Sequence, residues 1–230
     1  MTQKKQKIVV FTGAGVSAES GIQTFRDADG LWHNHNVQDI CSMDGWHRNP
    51  EQVLNFYNQR REDIKNASPN AAHKAIAELQ KKYEVVVVTQ NIDDLHERAG
   101  SEKVLHVHGE ITKARSSLDE SLIYDIHYEP IKLGQKCELG SQLRPHIVWF
   151  GESVHCIQQA YENFLEADKV LVVGTSLKVY PVAGLVHEAP AHSEKVIVSL
   201  DVENVPDGYE YIKQKAASSV PSIAARWLAE

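Results

Sequence analysis

The sequence predicts an α/β fold, a Rossmann-like doubly wound parallel sheet covered by helices, and three observations lead there. Short β-branched runs recur along the chain, helical stretches lie between them, and the first run ends in a glycine-rich turn. Alternation of this kind argues for parallel strands joined by helical crossovers. Runs at residues 8–12, 85–89, 104–107, 170–173 and 196–200 read as strands buried on both faces. Helices are expected at 50–64, 70–81, 155–166 and 179–189, with Pro221 as the first-turn proline of a final helix. Residues 21–49 mix polar and aromatic side chains without a period, which predicts a long ligand-covering loop with short helical pieces. Residues 113–144 lack long apolar runs, so one domain over 1–230 is expected to carry a small inserted module at 113–142.

Composition narrows the function classes. With 42% hydrophobic and 24% charged residues among 230, the chain can bury a sizeable core. A formal charge of -7, with no basic block beyond Lys4, Lys5 and Lys7, argues against nucleic acid as a partner and suits basic protein segments instead. Cys41, Cys137 and Cys156 are far apart and odd in number, so neither a disulfide framework nor a CxxC motif is expected. Residues 1–7 lack the apolar core of a signal peptide, and no run is long enough to span a bilayer. A soluble cytoplasmic protein, plausibly a monomer, is expected.

The first strand runs into Gly13-Ala14-Gly15-Val16-Ser17-Ala18, the G-x-G-x-x-G/A spacing that seats a pyrophosphate at a strand-to-helix turn. A tight turn that needs small residues for packing is the plainer alternative. The acidic residue expected about 20 positions later is absent, which counts against a dehydrogenase. Extended through Glu19-Ser20-Gly21-Ile22, Thr24-Phe25-Arg26 and Gly30-Leu31-Trp32, the run resembles the signature of the sirtuins. Further matches follow in family order: Thr89-Gln90-Asn91-Ile92-Asp93 with Leu95-His96, then His108-Gly109, Arg144-Pro145 with Val148-Trp149-Phe150-Gly151-Glu152, and Gly174-Thr175-Ser176-Leu177. The resemblance reaches from Ile8 to about Ala217, with 113–142 as its poorly matched gap.

What the resemblance implies is NAD-dependent removal of acyl groups from protein lysines, giving nicotinamide, O-acyl-ADP-ribose and free lysine. Cleaving nicotinamide from ribose leaves a cationic centre that a weak nucleophile, the acyl amide oxygen, can meet if base and ribose are held in place. His108 suits the base, because an ordinary imidazole titrates near neutrality. His106 would share its face of the strand, and the His-Gly match selects His108. Asn91 is implied as a catalytic partner. The NAD-binding set implied is Gly13, Ala14, Gly15, Ser17, Ala18, Thr24, Phe25, Arg26, Trp32, Gln90, Asn91, Ile92, Asp93, Gly174, Thr175, Ser176, Ser199, Leu200, Asp201 and Ala217, with Ser199 standing where the family commonly has Asn. Read alone, residues 91–93 could equally cap a helix.

For the acyl-lysine protein substrate, Val148, Phe150, Gly151 and Glu152 match the segment on which sirtuins lay a peptide as an added strand; a buried core strand is the alternative. Tyr57 and Arg60, three apart on a predicted helix, resemble the pair with which some sirtuins hold a succinyl or malonyl carboxylate. The charge run Arg61-Glu62-Asp63 argues instead for a solvated face. Most sirtuins hold a structural zinc with four cysteines in the inserted module, but here 113–142 contains only Cys137, and Ser116 stands near the first cysteine position. No zinc is therefore expected, and the module should be held by packing of Leu118, Leu122, Ile123, Tyr124, Ile126, Tyr128, Ile131 and Leu133, with a strand at 122–128. Two other readings are an NAD-dependent mono-ADP-ribosyltransferase and a non-catalytic NAD-binding protein; His108 opposes the second.

Overall fold

Valine-rich runs build a six-stranded parallel sheet. A computed structural model of the chain describes residues 5–24, 31–32 (backbone alone) and 35–230. In chain order, β1 (Lys7–Thr12) leads through two 3-10 turns, Ala14–Val16 and Ala18–Ser20, to the short pair β2 (Leu31–Trp32) and β3 (His35–Asn36). Then come α1 (Val37–Ile40), α2 (Met43–Arg48), α3 (Pro50–Asn66), α4 (Ala71–Glu78), β4 (Glu84–Thr89), α5 (Leu95–Arg98) and β5 (Val104–His106). The chain continues through β6 (Gly109–Ser116), β7 (Ile123–Asp125), β8 (Leu143–Ile147), α6 (Ile157–Leu165), β9 (Lys169–Val173), β10 (Glu194–Val198), β11 (Glu210–Ile212) and α7 (Ala216–Ala229).

The main sheet runs in the order β11-β10-β9-β1-β4-β5, every pair parallel. Alternate residues face opposite layers. Ile8, Val10, Val85, Val87, Leu171 and Val173 pack under α4 and α7, where Ile76 and Trp227 are fully buried. Val9, Phe11, Val86, Val88, Val170 and Val172 pack on the other face against Ala160 and Phe164 of α6, with Phe11 and Phe164 edge to face at 6.0 Å. Both faces are thus covered, which is why these strands are apolar throughout; each such side chain contributes roughly 1.5–3 kcal/mol on burial.

Several expectations change. The glycine-rich turn opens into 3-10 turns rather than an α-helix, ending at Gly21. Pro221 lies inside α7, which begins five residues earlier at Ala216, where Glu19 Oε2 accepts the Ala217 N–H at 2.7 Å. That carboxylate satisfies a first-turn donor, so the helix starts well before the proline. The expected helix at 179–189 is a 3-10 helix over Val182–His187, because a residue preceding proline is kept out of the helical region and Pro181 fixes the start. The edge strand β11 escapes notice in the sequence because Glu210-Tyr211-Ile212 is half exposed and pairs only with β10.

The inserted module expected at 113–142 lies within a second, three-stranded sheet: β6 and β8 pair antiparallel from Gly109 to Ile147, with β7 on the far side of β6. Its packing is narrower, since Leu118 and Leu133 are exposed while Ile131 is buried and Leu122, Tyr124, Ile126 and Tyr128 lean on the α3 core. At its centre Ser116 Oγ lies 2.7 Å from Ser141 Oγ, which lies 3.1 Å from Cys137 Sγ. Ser116 Oγ also accepts the N–H groups of Leu118 and Asp119, so one hydroxyl closes the turn after β6. Among the described residues, no group of three His, Cys, Asp or Glu side chains could hold a metal. Protein purified without a metal-affinity step is expected to contain far less than stoichiometric zinc and to melt at the same temperature with and without a chelator. Stoichiometric zinc on elemental analysis, or a clear fall in melting temperature on chelation, would contradict this.

Candidate active site

The chain leaves β1 toward β4 and β5, then returns to β9 and proceeds the other way, so the order reverses between β1 and β9. Ligands of open α/β sheets sit at such a switch point, beyond the strand C-termini. Here the two glycine-rich loops meet: Gly13 N donates to Val173 O at 3.0 Å and Gly15 N to Gly174 O at 2.8 Å. Gly174 has φ +64, and a Cβ there would lie 2.2 Å from Val16 N, so only glycine fits. Thr175 Oγ1 accepts the Leu177 N–H, turning the chain away again past Ser176.

Beyond β4, Ser17, Asn91 and Asp93 come together. Ser17 Oγ donates to Asp93 Oδ2 at 3.0 Å and accepts from Asn91 Nδ2 at 3.1 Å, with His73 Nε2 3.3 Å away. Asp93 Oδ1 also accepts the Leu95 N–H, so the one carboxylate bonds the first turn of α5 and, through Ser17, the glycine-rich loop. Burial pushes the Asp93 carboxyl above its ordinary range, against the two hydrogen bonds that oppose it. Thr12, Thr89 and His96 form a deeper layer: Thr12 Oγ1 donates to Thr89 Oγ1 at 2.8 Å and lies 3.0 Å from His96 Nε2. Sequence reasoning passed over Thr12 and His73, since no local pattern links residues 56 or more apart.

His108 follows β5. Its Nδ1 is 3.1 Å from the Gln90 carbonyl, which can only accept, so Nδ1 carries the proton and Nε2 keeps the lone pair of a base. Burial, reinforced by nearby His155, lowers its pKa from the ordinary imidazole value despite that hydrogen bond. Gly109 follows with φ +84, and a Cβ there would meet the His146 carbonyl at 2.1 Å. Gln90 Nε2 is buried without a partner among the described residues, a donor at the sheet edge where a ligand amide or ribose oxygen would fit.

The remaining expected residues are placed as follows. Gly13, Ala14, Gly15, Ser17 and Ala18 line the first loop, and Thr24 is half buried beyond it. Phe25 and Arg26 lie outside the described residues, as does the side chain of Trp32. Ile92 is half buried, its carbonyl accepting from Ile111 N. Ser199 is buried past β10, while Leu200 and Asp201 are exposed at the rim. Ala217 sits at the start of α7, joined to the first loop through Glu19.

On the substrate side, residues 148–152 form neither a core strand nor a paired one. Val148 N donates to His108 O, Phe150 N to Cys41 O, and Phe150 makes a single parallel bridge to Ser42. Phe150 and Gly151 are exposed, which leaves this segment open to a peptide. Glu152 faces inward: its carboxylate accepts from Arg144 at 2.7 and 2.9 Å, Arg115 at 2.8 Å and Trp149 N at 2.8 Å. Burial works against that charge, but the Arg144 bonds outweigh it and hold the carboxyl below its ordinary pKa. Tyr57 and Arg60 are not on a solvated face. Tyr57 is fully buried, its oxygen accepting from Trp149 Nε1 at 3.0 Å, and Arg60 is 3% exposed. Arg61 is buried too, donating to Ile111 O and Asn58 Oδ1, so the charge run misleads.

Comparison with known proteins agrees with this arrangement. A model of the Sir2 family matches residues 13–181. The chain is 45% identical to the NAD-dependent protein deacylase of Helicobacter pylori (strain ATCC 700392 / 26695) over 95% of this chain and 96% of that protein. It is 51% identical to the NAD-dependent protein deacylase of Aggregatibacter actinomycetemcomitans, over 83% and 91%. Among solved structures, a Sir2 homologue in complex with NAD superposes with a TM-score of 0.88 at 35% identity, covering 98% of this chain and 90% of that one. A Sir2 complex with a p53 peptide and NAD+ gives 0.81 at 28% identity, over 98% and 95%. With the family model spanning the glycine-rich loop, the strand ends and His108, the chain belongs to the Sir2 family.

Proposed function

We propose that the chain is an NAD-dependent protein-lysine deacylase, acting on acetyl-lysine and on acyl-lysines that end in a carboxylate, such as succinyl or malonyl, and releasing nicotinamide, O-acyl-ADP-ribose and free lysine. The observation that carries the reading is His108, held as a base with its proton on Nδ1 against the Gln90 carbonyl, beyond the C-terminal ends of β4 and β5. NAD, when bound, supplies the nicotinamide leaving group and the ribose carbon to which the acyl oxygen transfers. The protein's part is positioning and proton transfer. The two glycine loops bring main chain close to the cofactor, and Gln90 and Asn91 offer amides to it. Nε2 of His108 takes a proton from a ribose hydroxyl. The exposed edge at Phe150 and Gly151 receives the substrate backbone, which suits a protein substrate with little sequence demand.

Acyl choice is assigned to Arg60. Its guanidinium, with Nη2 3.4 Å from the Gln23 carbonyl and Nη1 3.5 Å from Asp63, belongs to a residue that lines a cavity together with His35, Gln52 and Phe56, where a planar donor fork suits a carboxylate. Tyr57, bonded to Trp149, sets the floor of that region.

His108→Ala is expected to lower turnover by about 100- to 10,000-fold while NAD binding, followed by calorimetry, persists. Activity without NAD, or wild-type turnover in the variant, would sink the assignment. Because burial lowers the His108 pKa, the base is neutral at and above neutral pH, and kcat should decline only as pH falls below about 6.5. An acid limb centred above neutrality would contradict that. Arg60→Met should cut desuccinylation selectively and leave deacetylation within a few-fold, measured by mass spectrometry on matched peptides; equal losses would refute the role. The same product analysis separates ADP-ribose on protein from O-acyl-ADP-ribose.

A further inference from the structure

His106, two residues before the base, has no part in the reaction as described. It closes β5, and its side chain is 7% exposed. Nδ1 lies 3.1 Å from the Asn91 carbonyl oxygen and Nε2 lies 2.7 Å from Glu97 Oε1. A carbonyl oxygen and a carboxylate both accept, so each ring nitrogen must donate, and only the imidazolium can do that. Glu97, on α5, is 40% exposed, so its carboxylate keeps contact with water while it bonds the ring.

The surroundings also favour a cation. From α5 and the turn before it come Glu97, His96, Asp93 and Asp94; from β6 come Glu110 and Lys113, paired with each other at 2.7 Å. Asp125 of β7 and His127 line the same cavity of about 320 Å³, into which His106, Asp94 and Glu97 also face. Acidic groups predominate. Burial opposes the charge on His106, but the bond and field of Glu97 outweigh it and raise the pKa above the ordinary imidazole value.

We propose that His106, as an imidazolium clamped between Glu97 and the Asn91 carbonyl, is a positioning residue for deacylation: it fixes the peptide unit that carries the Asn91 amide into the site. The role rests on the deacylase reading above. His106 and His108 hold consecutive carbonyls, Asn91 and Gln90, while Ile111 N takes that of Ile92, so one segment of chain is pinned at three successive oxygens. The middle pin depends on a proton. When His106 loses it, the remaining proton stays on Nε2 against the stronger acceptor, the Glu97 carboxylate, so the Nδ1 lone pair faces the Asn91 carbonyl and that peptide is released. Activity then has two limbs, an acid one set by His108 and an alkaline one set by His106.

The test follows the imidazole nitrogens by long-range 1H–15N spectra of the full chain, with His106 assigned from its loss in His106→Asn. At pH 7 both nitrogens of His106 are expected to be protonated, and the Asn91 side-chain amide signal should move with the midpoint of that titration. Glu97→Gln, at a site 40% exposed, should lower the midpoint by about one pH unit or more. It should carry the alkaline limb of kcat down with it, and leave the acid limb and the peptide KM where they were. A His106 that is neutral at pH 7, Asn91 signals that ignore its titration, or an alkaline limb unmoved in Glu97→Gln would each overturn the proposal. A wild-type chain that shows the coupled titration but deacylates nothing would refute the proposed function and leave the clamp standing.

Discussion

The backbone contact between Gly15 and Gly174 is the constraint on which the rest of the site depends. It joins the C-terminal ends of β1 and β9, the two strands between which the sheet reverses direction, with an N–H to carbonyl bond of 2.8 Å. No side chain separates the loops, and a Cβ at either position would fall 2.8 Å or less from the other's main chain. Two neighbouring loop amides, those of Gly13 and Gly15, are therefore hydrogen-bonded to the loop after β9. Their work is to set the height of the loop, so that Ser17 reaches Asn91 and Asp93 across the end of β4. The glycine-rich spacing lets these two chain segments approach closely, and two 3-10 turns follow it.

A second constraint ties the substrate side to the inserted module. Arg115 of β6 and Arg144 of β8 are both almost fully buried, and both bond Glu152, which also takes the Trp149 N–H. The Arg144 guanidinium lies 3.4 Å over the Trp149 ring, whose indole N–H donates to Tyr57. Desolvating three charges is costly, and removing one partner of a buried cluster costs about 3–5 kcal/mol, since it strands the others. The cluster thus fixes segment 148–152 relative to both the module and α3. It turns Glu152 inward while Phe150 and Gly151 face out. Together with the Ser116, Ser141 and Cys137 hydrogen bonds, it gives the module two anchors, one at its base and one at its centre.

What could be read from the sequence follows from how local each determinant is. The strands β1, β4, β9 and β10 are legible because burial on both faces demands unbroken apolar residues, and the helix expected at 50–64 is found as α3. The glycine loop, Asn91, Asp93 and His108 are legible through resemblance, since their spacing within each motif is short. Determinants set by distant partners are not. Arg61 sits in a run of charges yet is buried, because its donors meet the Ile111 carbonyl and Asn58. Helix α7 starts at Ala216 because Glu19, nearly two hundred residues earlier, caps it, whereas the sequence offers Pro221 as the more visible signal. The ends of the second sheet lie at Gly109 and Ile147 because β6 and β8 pair there, and pairing leaves no mark in residues as polar as these.

His106 and His108 carry the argument one step further, since two identical side chains two residues apart acquire opposite properties. Both turn toward the segment after β4, and both place Nδ1 against a main-chain carbonyl. The difference lies at the other nitrogen. Nε2 of His106 meets the Glu97 carboxylate, and the pKa rises; His108 has burial and a second histidine nearby, and its pKa falls. Carboxylate placement by the four-residue helix α5 therefore decides which ring is a cation and which is a free base. A base must be neutral to take a proton and a clamp must be charged to donate twice, so the same residue type fills both roles only because their environments are pushed apart. The spacing of the two histidines alone could not have distinguished them, and the position of Glu97 does.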